Sequence, residues 1–250
     1  MISDGEGRRW AHHLGVALDQ IRRDHLVSHV LFALSELPSQ DFSFVGGTAL
    51  YRTDFAGLRL SEDIVLLVQE PGNWTDMLTR QLPRRLRRDY PDLSVTAPSR
   101  ASRSQRHHVT APGVPGVEIQ LIKMQAEDAA IQMDMRPVSL RYDGLPSSVQ
   151  LRVPSAAGFV AMKYVAYRDR HEPRDLFDLA HLTLGGAFDA AAFRMIQHLS
   201  GASPQLEELR RLQPVTADAW HERLSHQTGD LMDADEALTI VRNAVARFRT

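Results

Sequence analysis

Apolar residues follow two different spacings along the chain. Up to about residue 150, short apolar runs typical of strands alternate with longer stretches at helical spacing. The run 64–68 has five consecutive apolar residues, the pattern of a strand buried on both faces. The pattern predicts strands at 42–45, 64–68, 93–97, 107–110, 117–123, 138–142 and 149–153, and helices at 8–38, 48–55 and 74–90.

Helical spacing alone recurs from Pro154 onward, and Pro154 itself suits the first turn of a helix. The predicted helices cover 154–170, 173–184, 189–200, 204–212, 216–226 and 232–248. The chain is therefore expected to form an α/β domain over residues 1–150 and a helical domain over residues 151–250.

Composition excludes several classes of function. The chain has no cysteine, which excludes disulfides, thiolate metal sites and cysteine nucleophiles. The formal net charge of -2 excludes a uniformly basic nucleic-acid coat but allows a local basic patch. No uncharged apolar run approaches the roughly 18 residues of a membrane span, and the N-terminus lacks the apolar core of a signal peptide. A cytoplasmic protein without a membrane partner is expected.

A pair of glycines, Gly46 and Gly47, separates an apolar run from a predicted helix. Glycine lets backbone amides approach phosphate oxygens, and the helix N-terminus adds partial positive charge. The hydroxyl of Thr48 supplies another donor, and Asp63 can hold a magnesium ion that bridges the same phosphates. Paired glycines at such a turn are also common for steric reasons alone. The combination with the Ser-Glu-Asp sequence at 61–63 is more specific for nucleotide binding.

Three segments together resemble the AbiEii-type nucleotidyltransferase toxin family, within the DNA polymerase β-like nucleotidyltransferase superfamily. They are FVGGTALYR (44–52), GLRLSEDI (57–64) and AMKYVAYRDRHEPRDLFDL (161–179). The resemblance implies an α/β (α+β) fold in which a small mixed sheet flanked by helices is followed by a helical bundle. It also implies a toxin that transfers a nucleotide from an NTP to an acceptor such as the tRNA 3′ end, with a separate antitoxin as partner.

The resemblance also implies a set of site residues. Gly46, Gly47, Thr48, Ser61 and Lys163 would bind the nucleotide, and the catalytic group would be Asp63, Lys163 and Asp175. Without the resemblance, Lys163 could be a solvated helix residue, and Arg174 and Asp178 could form an ordinary ion pair four residues apart. With it, Arg174 and Asp178 are expected to be structural support.

The second segment departs from the family pattern, which ends in two acids at positions i and i+2. These share one face of a strand, so both carboxylates can grip a metal pair. Here the second acid is replaced by Val65, while Glu62 should point to the opposite face. A further metal ligand should come from a later strand, and the sequence leaves open whether that position is Glu118 or Gln120. The expected metal ligands are Asp63 and Glu118.

Val65 leaves three explanations open: a degenerate enzyme that binds nucleotide without turnover, a slower enzyme with one metal ion, or an introduced change that disarms a toxin. The predicted function is magnesium-dependent nucleotide transfer from an NTP. The alternative is a catalytically degenerate nucleotide- or RNA-binding protein that keeps the fold but lacks the full metal site. A third reading is an interaction module whose glycine pair is only structural.

Eight arginines and two acids lie in the segment Arg80–Arg106, a local excess that could bind the phosphate backbone of tRNA. A solvated helix face explains the same pattern. His25 and His29 have the spacing of two helical zinc ligands, but no third ligand is evident, so both are interpreted as ordinary helix residues.

Overall fold

The computed structural model describes residues 1–38, 41–55, 59–98, 104–200, 212–228 and 231–248. The chain divides into two compact units. The first comprises Met1–Met124, Asp134–Val153 and Gln227–Gly229, and the second comprises Gln125–Met133, Pro154–His226 and Asp230–Thr250. Strands and helices occur together, which confirms the predicted mixed α+β class.

The first unit opens with two helices, where the sequence pattern predicted one over 8–38. Helix α1 covers Asp4–Leu14 and helix α2 covers Leu18–Ser35. Gly15 ends α1 in the left-handed region, at φ 65°, and donates its N–H to the carbonyl of Ala11. Glycine adopts this conformation without steric cost, so the chain turns there although the apolar spacing continues.

A five-stranded mixed sheet forms the centre of the first unit. The strands are β1 (Phe42–Val45), β2 (Asp63–Val68), β3 (Ser94–Thr96), β4 (Ser104–Ala111) and β5 (Val114–Lys123), and helix α3 (Gly46–Thr53) joins β1 to β2. The strand order is β1-β2-β5-β4-β3. Strands β2 and β5 are parallel, and the other neighbouring pairs are antiparallel. A separate two-stranded sheet consists of β6 (Met133–Ser139) and β7 (Ser148–Pro154). Strand β7 contains the strand predicted over 149–153, whereas β6 overlaps the strand predicted over 138–142 only at its C-terminal end.

The two faces of the sheet differ in polarity. Buried and partly buried residues alternate along β5: Ile119 and Leu121 are buried, whereas Glu118 and Gln120 are only partly buried. Helix α2 packs against β5 and is itself mostly buried, so it covers the apolar face. Glu118 and Gln120 therefore lie on the face away from α2.

Residues 74–90 were predicted as one helix, and the structure has three short pieces instead. A 3-10 turn covers Pro71–Trp74, a π-helical turn covers Met77–Gln81, and helix α4 covers Leu82–Leu86. Pro83 falls at the start of α4, where a missing N–H costs little. Helix α4 packs beside α2, on the apolar side of the sheet.

A buried ionic network joins α2 to α3. Asp24 on α2 accepts hydrogen bonds from Arg52 at 2.7 Å and from the Tyr142 hydroxyl at 2.8 Å, and it pairs with Arg141 at 3.3 Å. Arg52 also donates to Ser28 at 2.9 Å. The arginine of the FVGGTALYR segment is therefore part of the core, where it fixes the helix that follows the glycine pair.

Burial alone would raise the pKa of Asp24. The charges of Arg52 and Arg141, with hydrogen bonds from Tyr142 and Arg141, outweigh burial and hold that pKa below its ordinary value of 3.8. Asp24 is therefore ionised at neutral pH, although its side chain is only 3% exposed.

The second unit is helical. Its described helices are α5 (Ala156–Arg170), α6 (Pro173–Leu184), α7 (Ala190–Leu199), α8 (Ala217–Leu224) and α9 (Ala234–Arg247). Helix α5 is capped by His171 in the left-handed region, and it packs against α6 and α7. Helix α6 also contacts α8 and α9. Most of the helix predicted over 204–212 falls outside the described residues. Across the described part of the chain, no helix is long and apolar enough to span a membrane.

Candidate functional site

The glycine pair stands at the N-terminus of α3. Gly46 has φ 82°, a conformation that strains any residue with a Cβ atom. The preceding residue, Val45, occupies the N-cap position and makes no side-chain cap hydrogen bond. The first amides of α3 thus have no side-chain cap, and such amides bind anions.

Thr48 connects α3 to the next strand. Thr48 is 2% exposed, and its hydroxyl donates to the backbone carbonyl of Asp63. The hydroxyl proton is used within the fold, where it holds α3 against the start of β2. A role for Thr48 toward phosphate stays a prediction.

Ser61 lies directly beside Gly47, and its role in nucleotide binding stays a prediction. A Cβ atom added to Gly47 would lie 3.0 Å from Ser61 Oγ and 2.9 Å from Arg59 Nη2. Position 47 therefore admits only glycine unless both neighbours shift. Arg59, which the sequence analysis did not select, lies in the same place.

Asp63 and Glu118 are direct neighbours on the two parallel strands. In the register of β2 and β5, Asp63 pairs with Glu118 and Val65 pairs with Gln120. Paired residues point to the same face of a sheet, so all four lie on one face. The register therefore places the acid at 118 beside Asp63 and the amide at 120 beside Val65, while the assignment of Glu118 as a metal ligand stays a prediction.

Glu62 points to the other face, as expected from strand alternation. Its carboxylate accepts a hydrogen bond from Gln20 at 2.9 Å and pairs with Arg23, both on α2. Glu62 therefore cannot replace the missing acid at position 65.

The residues present fit one divalent cation. Magnesium is usually held by one or two carboxylates together with substrate phosphates, and Asp63 and Glu118 provide two. Glu118 is 20% exposed and also pairs with Arg106 at 3.5 Å and with His108 at 3.9 Å, both on β4. Over the described ranges, no group of three or more His, Asp and Glu side chains could hold a metal by itself.

Val65 packs against the glycine pair. A Cβ atom added to Gly46 would lie 3.1 Å from Val65 Cγ2 and 3.3 Å from Val65 Cβ. An apolar group therefore stands between the α3 N-terminus and Gln120, where the family pattern has a carboxylate. A second metal ion would lack its ligand here.

Lys163 lies in a buried charge cluster of the second unit. Its ammonium donates to Asp175 Oδ1 at 2.9 Å and lies 2.6 Å from Asp178 Oδ2. Arg170 Nε donates to the other oxygen of Asp175 at 2.7 Å. Lys163 is 7% exposed, which excludes the reading of a solvated helix residue.

Asp178 is more central than the sequence analysis predicted. It is completely buried and pairs with Lys163, whereas the sequence suggested a helical pair with Arg174. The spacing of Asp175 and Asp178 at i and i+3 was the available signal, because it places both on one helix face. Burial would raise the pKa of Asp175, but the charges of Lys163 and Arg170 outweigh it and hold that pKa below 3.8.

We expect Lys163→Met to destabilise the second unit strongly. The change leaves Asp175 and Asp178 buried without their ammonium partner, which typically costs about 3–5 kcal/mol. The control is Arg170→Met, since Arg170 is 60% exposed and its pair with Asp175 should contribute about 1 kcal/mol or less. Urea unfolding of both variants measures the difference, and equal losses would contradict a cluster centred on Lys163.

The segment Arg80–Arg106 does not form one continuous stripe. Arg84 and Arg85 belong to α4, on the apolar side of the sheet, whereas Arg106 pairs with Glu118 on the opposite face. Arg100 and Arg103 lie outside the described residues. Contact of this segment with tRNA stays a prediction, and only Arg106 of its described arginines is placed beside Glu118.

His25 and His29 are core residues. His25 Nδ1 lies 2.5 Å from the Tyr90 hydroxyl, and the two histidine rings lie 4.5 Å apart. Burial, with His29 beside it, lowers the pKa of His25 to about 3. This agrees with their interpretation as ordinary helix residues.

The sequence matches the family described as "Nucleotidyl transferase AbiEii toxin, Type IV TA system" over residues 29–240. The chain belongs to the AbiEii family. The resemblance inferred from the three segments is thereby confirmed, and the family is one of nucleotidyltransferase toxins of toxin–antitoxin systems.

Solved structures with a similar fold include two proteins described as nucleotidyltransferases. MenT4, a nucleotidyltransferase toxin from Mycobacterium tuberculosis H37Rv, superposes with a TM-score of 0.59 at 16% identity, over 96% of this chain and 88% of MenT4. A candidate nucleotidyltransferase from H. pylori superposes with a TM-score of 0.57 at 15% identity, over 93% of this chain and 95% of that protein. At these identities the likeness shows the fold alone. No curated protein matches the sequence.

Proposed function

We propose that this protein is a toxin that transfers a nucleotide from an NTP to an acceptor hydroxyl, such as that of the tRNA 3′ end, in a magnesium-dependent reaction. The observation that carries the proposal is the pairing of Asp63 with Glu118 next to the N-terminus of α3, which lacks a side-chain cap. Family membership supports the class of reaction. An antitoxin is the expected protein partner.

The site would work by positioning and charge rather than by covalent chemistry. The amides of Gly46 and Gly47 would hold phosphate oxygens, with Ser61 Oγ beside them as a further donor. Asp63 and Glu118 would hold one magnesium ion, which supplies positive charge to the transferring phosphate. Lys163 would neutralise phosphate charge, and Asp175 would fix the direction of its ammonium.

We propose that the helical domain 151–250 carries Lys163 and Asp175, and that the domain 1–150 carries the other site residues.

The amide of Gln120 beside Val65 favours the second candidate function, a degenerate protein that binds nucleotide or RNA without turnover. A site with valine in place of one acid and a neutral amide beside it holds fewer cations. The loss of one electrostatic element costs roughly 10²–10³-fold in rate.

Val65→Asp tests the proposal. The added carboxylate would lie on the same strand face as Asp63 and close to Gly46, so we expect transfer to rise by about 10- to 100-fold over the native chain. The assay supplies each labelled NTP, magnesium and total tRNA, and measures labelled RNA and self-labelled protein. Val65→Asn is the matched control, because asparagine has the size of aspartate but no charge. It should give no increase in transfer over the native chain.

The outcomes separate the two candidate functions. Label from the native chain supports an enzyme that works with the acid pair at 63 and 118. Label from Val65→Asp alone supports a degenerate protein with an otherwise intact site. No label from either, with magnesium-dependent NTP binding retained, favours the binding protein, and no binding at all contradicts both.

A further inference from the structure

Arg59 is a buried cation beside the glycine pair. It lies four positions before Asp63 in the sequence, and it is 3% exposed. Burial of a guanidinium requires compensation by hydrogen bonds or charge, so the position is structurally demanding.

Three neighbours fix the guanidinium of Arg59. Its Nη1 donates to Gln227 Oε1 at 2.8 Å, and its central carbon lies 4.5 Å from the ring centroid of Tyr51 on α3. Its Nη2 lies 2.9 Å from the position that a Cβ atom on Gly47 would take. The guanidinium is thus held between Gly47 and the ring of Tyr51, which both belong to α3.

The segment around Gln227 supports this arrangement from a distant part of the sequence. Gln227 also accepts a backbone hydrogen bond, from the N–H of Leu60 to its carbonyl at 3.1 Å. It belongs to the first unit, although the residues before it in the sequence belong to the second. The hydrogen bonds of Gln227 to Arg59 and to Leu60 therefore fix the segment that leads into β2.

The position of the charge has an electrostatic consequence. A triphosphate held by the amides of Gly46 and Gly47 would lie within several ångströms of the Arg59 guanidinium, whose Nη2 touches the same turn. Opposite charges at such distances in a partly buried site attract strongly. The attraction increases with the number of phosphate charges, because each adds its own interaction with the same cation.

We propose that Arg59 is a positioning residue for the triphosphate of the NTP: it holds the Gly46–Gly47 turn in shape and places positive charge behind its amides. The inference rests on the proposed function, since it assigns a role within the same site. Gln227 and Tyr51 fix the guanidinium in that role.

Binding measurements test this role without depending on turnover. The full-length chain is titrated with ATP, ADP and AMP in magnesium, and dissociation constants are compared for native protein, Arg59→Met and Arg59→Lys. We expect Arg59→Met to weaken ATP binding by about 10- to 50-fold and AMP binding by less than about 3-fold. Arg59→Lys keeps the charge and should stay within about 5-fold of the native affinity for ATP.

Two further variants separate charge from loss of structure. Arg136→Met removes another arginine of the first unit, one that pairs with Asp54 at 2.8 Å, and it should leave ATP affinity unchanged. Gln227→Ala keeps the charge of Arg59 but removes one of its hydrogen bonds, so it should weaken ATP binding by about 3- to 10-fold. This variant keeps the inference testable even if Arg59→Met does not fold.

The outcomes also separate this inference from the proposed function. If the native chain binds ATP and Arg59→Met binds it equally well, the role of Arg59 is wrong and the function stands. Equal weakening for ATP and AMP would mean that Arg59 only maintains the fold, which overturns the inference. If the native chain binds no NTP, the proposed function fails, and the role of Arg59 fails with it.

Discussion

Asp63→Asn is expected to lower nucleotide transfer by roughly 10²–10³-fold while the protein remains folded. Asparagine keeps the size of the side chain but removes the negative charge that would hold the cation. Because position 65 carries valine, Asp63 and its neighbour Glu118 on β5 supply the negative charge of the proposed cation site. The transfer assay is best made in the Val65→Asp background, where the expected signal is larger.

Glu62→Gln is the matched control for Asp63→Asn. Glu62 is the adjacent acid, but it points to the opposite face and contacts Gln20 and Arg23 on α2. We expect its loss to change transfer by less than about 3-fold and stability by about 1 kcal/mol or less. Equal loss of transfer in both variants would contradict a cation site on the Asp63 face.

Asp24→Asn is expected to lower the free energy of unfolding by about 3–5 kcal/mol at pH 7. The change removes the carboxylate that compensates Arg52 and Arg141, and it leaves two guanidinium groups buried without their anion. Asp143→Asn is the control, since Asp143 is 87% exposed and lies 3.8 Å from Arg9. Surface pairs of this kind contribute about 1 kcal/mol or less. Urea unfolding of the three proteins measures the differences.

The effect of Asp24→Asn should depend on pH in a defined direction. The folded pKa of Asp24 lies below its ordinary value of 3.8, so the unfolded chain binds this proton more readily than the folded chain does. The stabilisation by ionised Asp24 is complete above the pKa that this group has in the unfolded chain. It is lost as pH falls through the lower pKa that Asp24 has in the folded chain. The native chain and Asp24→Asn should therefore approach each other in stability below pH 3.8. A difference that grows on acidification would contradict the ionised network.

Local sequence predicted those elements whose signals are themselves local. The apolar run at 64–68 lies within β2, which spans Asp63–Val68, because five consecutive apolar residues suit a strand covered on both faces. The glycine pair marks the start of α3, because the φ angle of Gly46 excludes other residues. The single helix predicted over 8–38 was wrong at Gly15, since apolar spacing continued through a residue that turns the chain.

The sequence by itself determined the family, the order of the main elements and the absence of an acid at position 65. Only the tertiary structure decided which acid flanks Asp63, because the register of β2 and β5 joins residues 55 positions apart. It also decided that Lys163 pairs with Asp178 and that Arg59 lies against Gly47. These contacts depend on the packing of separate helices and strands, which side-chain spacing within one element does not specify.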